Sequence, residues 1–441
     1  VGYRSAGSDP GQRRPAENSV SSCRTHRMMW LTVAAVALGF APAAAAMGRG
    51  LAASRQPAAI TAGCGWPLES NPDSGNVFYP DTSATYWVAP YLPAPGAQLV
   101  IHGRYPYARY FSFHVYDAAT RILDAITDYE ILPDPGSTNP FDTGIQSRPR
   151  SYTLHVVFSN RPAQPAPNTI YAGSLQEGAP NPEGALIYRV YVPINPQSTS
   201  GGEPLPSVTL EDGTTRTRLR LGRCSPLPPS AGGLVNDALD QQSFPSAAPT
   251  PVNVPSAQNP PVWKRYYGQT GGGELFWSNR DNAYMRLQLS RSYGNLVVFR
   301  AKAPTFPDTS AGVPVTTPSQ VRYWSICEYD FATQRYVACS PDYQTPLDSQ
   351  GYVTAVISDP SNRPANATAA NGVTWLPWGP YYDGMPFYRQ MLASPSFAQA
   401  ISQVPLGTDP QSIEGEYYPV AAYCTKQRFE QGGWQACLHQ G

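Results

Sequence analysis

The chain has 441 residues, with 31 basic against 31 acidic side chains, and only 14% of it is charged. That length allows two or three domains with a sizeable core in each, and the neutral balance gives no support for nucleic acid or an anionic membrane as partner. Its 48 prolines are about twice the ordinary share, and with 28 tyrosines, 9 tryptophans and short apolar runs they describe an all-β, loop-rich extracellular protein.

In chain order, Arg24, His26 and Arg27 precede MMWLTVAAVALGFAPAAAA at 28–46. Its apolar core, 30–40, is too short to span a bilayer and suits a secretory signal, with small residues for cleavage near 44–46. Residues 1–27 have no pattern and read as an over-extended start. No later segment approaches membrane-spanning length. Removing 1–46 leaves 26 basic against 29 acidic groups, and 47–62 is a small-residue tether.

Residues 109–120, RYFSFHVYDAAT, return as RYWSICEYDFAT at 322–333 with seven of twelve positions identical. The echo extends both ways: NVFYPDTSATYW (76–87) against ELFWSNRDNAYM (274–285), GAQLVIHG (96–103) against GNLVVFRA (294–301), and EGALIYR (183–189) against DGMPFYR (383–389). A repeat of this period predicts two tandem duplicated β-sandwich, jelly-roll-like lobes, 63–224 and 262–426, joined by a Pro, Ser and Ala-rich linker at 225–261 and followed by a tail at 427–441. Lobe 1 is expected to form strands at 85–88, 98–103, 110–116, 121–126, 152–158, 185–192, 208–210 and 215–221. Within 110–116, Phe111, Phe113 and Val115 share one face and Tyr110, Ser112, His114 and Tyr116 the other. Asp117 and Asp330 read as turn residues bonding the backbone ahead of them. In lobe 2 a short helix is expected after Ser394 and Pro395, through SFAQAISQ at 396–403.

The repeat supplies a filter. A residue kept in both copies, such as Tyr110/Tyr323, Ser112/Ser325 or Tyr116/Tyr329, is expected to hold the shared fold, whereas a polar or aromatic residue found in one copy is free to carry function. Past the signal, six cysteines predict three disulfides: Cys64 with Cys224, Cys327 with Cys339, and Cys424 with Cys437. A lipid-attachment reading of ITAGC at 60–64 is disfavoured by Thr61 and by its distance from the apolar core.

RYFSFHVYD followed by PDPGSTNPF resembles a motif pair of uncharacterised secreted bacterial proteins, loosely similar to jelly-roll domains of unknown function. The likeness covers about forty residues of copy 1 and part of copy 2. It implies the fold and the compartment and assigns no chemistry.

Chemistry has three candidate seats. His102, His114 and His155 occur only in copy 1, on expected strands, and with Asp128, Glu130 or Asp134 could hold a divalent metal or act as acid and base. The loop DYEILPDPGSTNPF at 128–141 could bring a carboxylate pair for hydrolysis or oxygens for calcium. In copy 2, Trp375, Trp378, Tyr381 and Tyr382 lie between Pro and Gly and could offer flat faces to a sugar. No G-x-S-x-G and no Gly-rich phosphate loop is present. The expected function is therefore a secreted or cell-envelope binding protein without cofactor, for a glycan or other extracellular ligand, with a glycan or cell-envelope component as the expected partner. The alternative is a secreted hydrolase or metal-dependent enzyme with its site in lobe 1.

Overall fold

The computed structural model describes residues 64–73, 76, 79–92, 96–173, 183–222, 224, 257–266, 277–330, 335–405 and 407–438. The expected signal, the tether, most of the linker and the turn at 331–334 lie outside them.

Lobe 1 contains β1 (Leu68–Ser70), β2 (Ala84–Tyr91), β3 (Ala97–Arg104), β4 (Ala108–Asp117) and β5 (Ile122–Thr127), then β6 (Ser151–Val157), β7 (Thr169–Tyr171), β8 (Gly184–Pro193), β9 (Ser207–Asp212) and β10 (Thr217–Arg220). Sheet I runs β1-β2-β8-β4-β5 and sheet II β10-β9-β3-β6-β7. All eight expected strands form, most of them because period-two alternation gives an apolar face to bury; β10 instead pairs along β9 with Leu219 exposed. Phe111, Phe113 and Val115 of β4 meet Leu99 and Ile101 of β3 and Leu154 and Val156 of β6 in the core between the sheets.

Lobe 2 contains β11 (Lys264–Tyr266), β12 (Asn282–Arg286), β13 (Leu289–Ser290), β14 (Leu296–Lys302), β15 (Tyr323–Tyr329) and β16 (Tyr336–Pro341). It continues with β17 (Tyr352–Ser358), β18 (Val373–Pro377), β19 (Asp383–Gly384), β20 (Phe387–Met391) and β21 (Val420–Tyr423). Sheet III runs β11-β12-β20-β15-β16, sheet IV β18-β17-β14-β21, and β13 pairs with β19. The order β2-β8-β4-β5 in sheet I is matched by β12-β20-β15-β16 in sheet III, and β9-β3-β6-β7 in sheet II by β21-β14-β17-β18 in sheet IV. The parallel pairs also match, β6 with β7 and β17 with β18. Both lobes are two-sheet sandwiches, and the fold is all-β.

Alternation requires burial of one face of β4, yet all ten of its residues are buried, and so are all seven of β15. The second face of each is covered by the opposite lobe: Tyr110 and Tyr191 pack with Tyr323 and Met391 in one cluster. Val315, from the loop that copy 2 inserts after β14, enters the core of lobe 1. The two lobes therefore belong to one compact unit.

Two helices lie close to lobe 2, α1 being the single turn Pro140–Thr143 in lobe 1: these are α2 (Pro410–Glu414) and α3 (Lys426–Leu438). The helix expected at 396–403 is corrected to a 3-10 turn, Ile401–Gln403. The segment closes as separate three-residue turns, such as Phe397 N–H to Ser394 O at 2.9 Å and Gln403 N–H to Ala400 O at 2.9 Å, while Ser394 N–H goes to Gln320 O at 2.8 Å and Ile401 N–H to Gln390 Oε1 at 2.9 Å. The three disulfides form as expected: Cys64–Cys224 closes lobe 1, Cys327–Cys339 joins facing residues of β15 and β16, and Cys424–Cys437 ties α3 to the end of β21. No helix among the described residues is long and apolar enough to cross a membrane.

Candidate functional site

Of the candidate catalytic residues of lobe 1, His114, Asp128 and Glu130 lie in the junction between the lobes, which is built twice on one plan. Lobe 2 receives residues 79–81. Asp81 Oδ1 accepts from the Tyr323 hydroxyl at 2.9 Å, and its Oδ2 accepts from Ser325 Oγ at 2.6 Å and Arg389 Nη1 at 2.7 Å. The Tyr329 hydroxyl donates to Pro80 O at 2.9 Å. Lobe 1 receives residues 277–281. The Tyr110 hydroxyl lies 2.7 Å from Asp281 Oδ2 and 3.1 Å from Asn279 Oδ1, the Tyr116 hydroxyl donates to Ser278 O, and Arg189 Nη2 donates to Trp277 O at 2.7 Å. Tyr79 and Trp277 hold the same left-handed backbone, at φ 59 and 55.

Two crossed ion pairs flank these contacts. Arg109 of lobe 1 reaches Asp342 of lobe 2 at 2.6 Å, and Arg322 of lobe 2 reaches Asp128 of lobe 1 at 3.3 Å. Each carboxylate also accepts from two backbone N–H groups: Phe111 and Tyr129 for Asp128, Trp324 and Tyr343 for Asp342. Burial pushes both up to about 6, opposed by the facing arginine and the backbone N–H groups. Such pairs fix orientation more surely than they add stability.

His114 is buried among these groups. Its Nε2 accepts the backbone N–H of Arg280 at 3.1 Å, so the neutral ring carries its proton on Nδ1, facing Ser112 Oγ at 3.2 Å. Burial, Arg189 and Arg280 hold it well below the usual histidine range. It cannot take a proton from Ser112. His102 and His155 sit on β3 and β6, whose register sets Val100 opposite His155 and Thr153 opposite His102. They share the outer face of sheet II, with Thr153 and Gln98 as partners, while His114 is on sheet I. The three imidazoles do not converge, and the metal-triad expectation is corrected accordingly.

Of the loop acids, Asp128 is committed to Arg322, and Glu130 accepts from Thr127 N–H and pairs with Arg280 at 2.7 Å. Asp128 is thereby withdrawn from any calcium site or hydrolytic pair, while the contacts of the exposed Glu130 run through Oε2. Among the described residues the grouping with metal-ligand spacing is Asp81, Cys327 and Cys339, but the sulfurs are bonded to each other and the carboxylate is occupied.

The aromatic stretch of copy 2 is held inward. Trp378 is 1% exposed, with the Arg291 guanidinium 4.9 Å from its ring, which corrects its expected role as a ligand platform. Trp375 is half-buried, donating to Ser358 Oγ at 3.0 Å beneath Arg363. Tyr381 and Tyr382 are half-buried, and Arg291 binds the Tyr381 carbonyl at 3.0 Å.

An open groove of about 750 Å³ lies instead where β13 turns into β14 beside β21 and α3. Its aromatic wall is Tyr293, 44% exposed, with its ring 5.7 Å from that of Tyr423. Gly294 permits that approach: at φ 155, a Cβ there would stand 3.3 Å from the Tyr423 ring. Asn259, Asn295, Asn362, Lys426 and Arg428 supply polar groups, and the Cys424–Cys437 bridge closes one end. Among the described residues the lining contains no carboxylate and no imidazole. The copy filter could have found the wall, since Pro95 and Ala97 stand in copy 1 where copy 2 has Tyr293 and Asn295.

No family model matches the chain, and no curated protein matches it in sequence. Among solved structures, an uncharacterised protein of Burkholderia cenocepacia matches with TM-score 0.50 at 12% identity, over 93% of this chain and 91% of that one. A Vibrio parahaemolyticus protein matches with TM-score 0.40 at 12% identity, over 79% and 90% of the two chains. The first likeness is one of fold, across nearly the whole chain.

Proposed function

We propose that the chain is an extracytoplasmic binding protein that takes a glycan in the groove beside Tyr293. The observation that carries this reading is the lining itself: an exposed aromatic face, three side-chain amides and two cations, in a volume of the size that small ligands fill. Amides both donate and accept, as sugar hydroxyls do, and a tyrosine face takes the apolar side of a sugar ring at little entropic cost. The described lining residues are of the kind that hold a glycan through hydrogen bonds and stacking. Three disulfides and the expected secretory signal favour an oxidising compartment. The alternative of a lobe 1 hydrolase or metalloenzyme gains nothing from the placement of its residues.

Calorimetric titration of the full chain against a panel of neutral and acidic polysaccharides tests the reading. At least one should bind, and Tyr293→Ala should weaken it about tenfold, as loss of one stacking platform does, without moving the unfolding midpoint. Equal binding by wild type and variant, or no binding across the panel, rejects it.

A further inference from the structure

The two halves of the junction share a plan but not a charge. In lobe 2, Arg389 Nη1 meets the Asp81 carboxylate at 2.7 Å. In lobe 1 the matching arginine is Arg189, and the residue matching Asp81 is Asn279. Asn279 cannot stand in for the carboxylate, because its Oδ1 is fixed by the Asp281 backbone N–H at 2.9 Å and the Tyr110 hydroxyl at 3.1 Å. Its Nδ2, a donor, therefore takes the place of Asp81 Oδ2, the oxygen that Arg389 binds in the other half.

Arg189 Nη2 is satisfied by Trp277 O and the Tyr116 hydroxyl at 2.6 Å, but other donors around it are left without acceptors among the described residues. Arg189 Nε and Nη1, Asn279 Nδ2 and Ser278 Oγ are all buried with no hydrogen-bond partner among the described residues. Arg189 is 2% exposed and Asn279 4%. The guanidinium sits 5.5 Å from the rings of Tyr86 and Tyr116 and has no ion pair among the described residues. The nearby carboxylate of Asp281 is already occupied by Tyr110, Thr127 and Arg280. A buried cation without counter-charge is costly, and unmet buried donors add to the cost.

We propose that a small monovalent anion, of the size of chloride, occupies the lobe 1 half of the junction, held by Arg189 and Asn279 Nδ2 where the Asp81 carboxylate sits in the other half. Burial restricts the occupant to something that can be enclosed as the lobes close. A side-chain carboxylate meets the same need in lobe 2, so Asn279→Asp should supply the missing charge within the chain.

The full chain is melted in sodium chloride, sodium bromide and sodium gluconate at equal ionic strength. The halides should raise the midpoint saturably, by about 2 °C or more over gluconate. Asn279→Asp should melt higher than wild type in gluconate and lose the halide response, and bromide-grown crystals should show an anomalous peak beside Arg189. No halide-specific shift in wild type, an unchanged shift in Asn279→Asp, or an ordered water only at that position overturns the proposal. If the variant does not fold, the wild-type titration and the bromide peak still decide.

Discussion

Glu414 is 0% exposed, and neither of its carboxyl oxygens has a hydrogen-bond partner among the described residues. Burial lifts its titration to about 8 against the pull of Arg265. Glu328, standing on β15 where β4 has the apolar Val115, is likewise raised by burial and by Asp330. A carboxyl raised on folding holds its proton longer in the folded state. Its contribution is fully present below the unfolded value of 4.5 and is lost as pH rises through about 8. For Glu414 the loss is on the order of 5 kcal/mol, at about 1.4 kcal/mol per pH unit. Glu414→Gln should remove one proton's worth of slope from unfolding free energy measured by urea between pH 5 and pH 8, and above pH 8 it should be the more stable protein. A variant with the wild-type slope would place the titration elsewhere.

Among the elements, the long strands were legible and the short or capped pieces were not. Alternation marks β2 to β6 and β8 because each buries one apolar face, but β1 and β7, at three residues, carry no measurable period. Helix α3 escaped because Gly432 and Gly433 interrupt it with non-helical backbone, so its sequence shows neither a continuous apolar stripe nor an ordinary stop. The site was legible in part. The copy filter separates Tyr293 and Asn295 from scaffold, yet it also picked out Trp378, since an aromatic residue unique to one copy can fill that copy's core. Helix α3 and the groove depend on each other, for Cys437 and Leu438 line it and Phe429 and Cys437 pack on β14 and β17 residues. Cys437→Ser opens a loop with sequence separation 13 and should cost about 3 kcal/mol of stability. In titration calorimetry it should also weaken glycan binding while leaving Tyr293 in place. Full binding with a loosened helix would detach α3 from the site.

At the scale of the molecule, matched strand orders are what duplication of one sandwich would leave, but the shared residues do more than hold their own lobe. Tyr110, Tyr116 and Arg189 bind a segment of lobe 2, and Tyr323, Tyr329 and Arg389 bind a segment of lobe 1. Each disulfide closes within one lobe or its tail, so the lobes are held by this exchange, by the crossed Arg109–Asp342 and Arg322–Asp128 pairs, and by Val315 in the opposite core. Two consequences follow from shared packing. The chain should unfold in one calorimetric transition with equal calorimetric and van't Hoff enthalpies, where independent sandwiches would give two. A protease site placed in the Pro-rich stretch between residues 225 and 256 should yield, after cutting, two fragments that still co-elute on size exclusion under non-reducing and reducing conditions alike. Arg109→Ala with Arg322→Ala should part them, because each substitution leaves a carboxylate buried without its charge partner. Fragments of the uncut sequence that separate once the linker is cleaved would mean that the covalent connection, and not the reciprocal contact, keeps the lobes together.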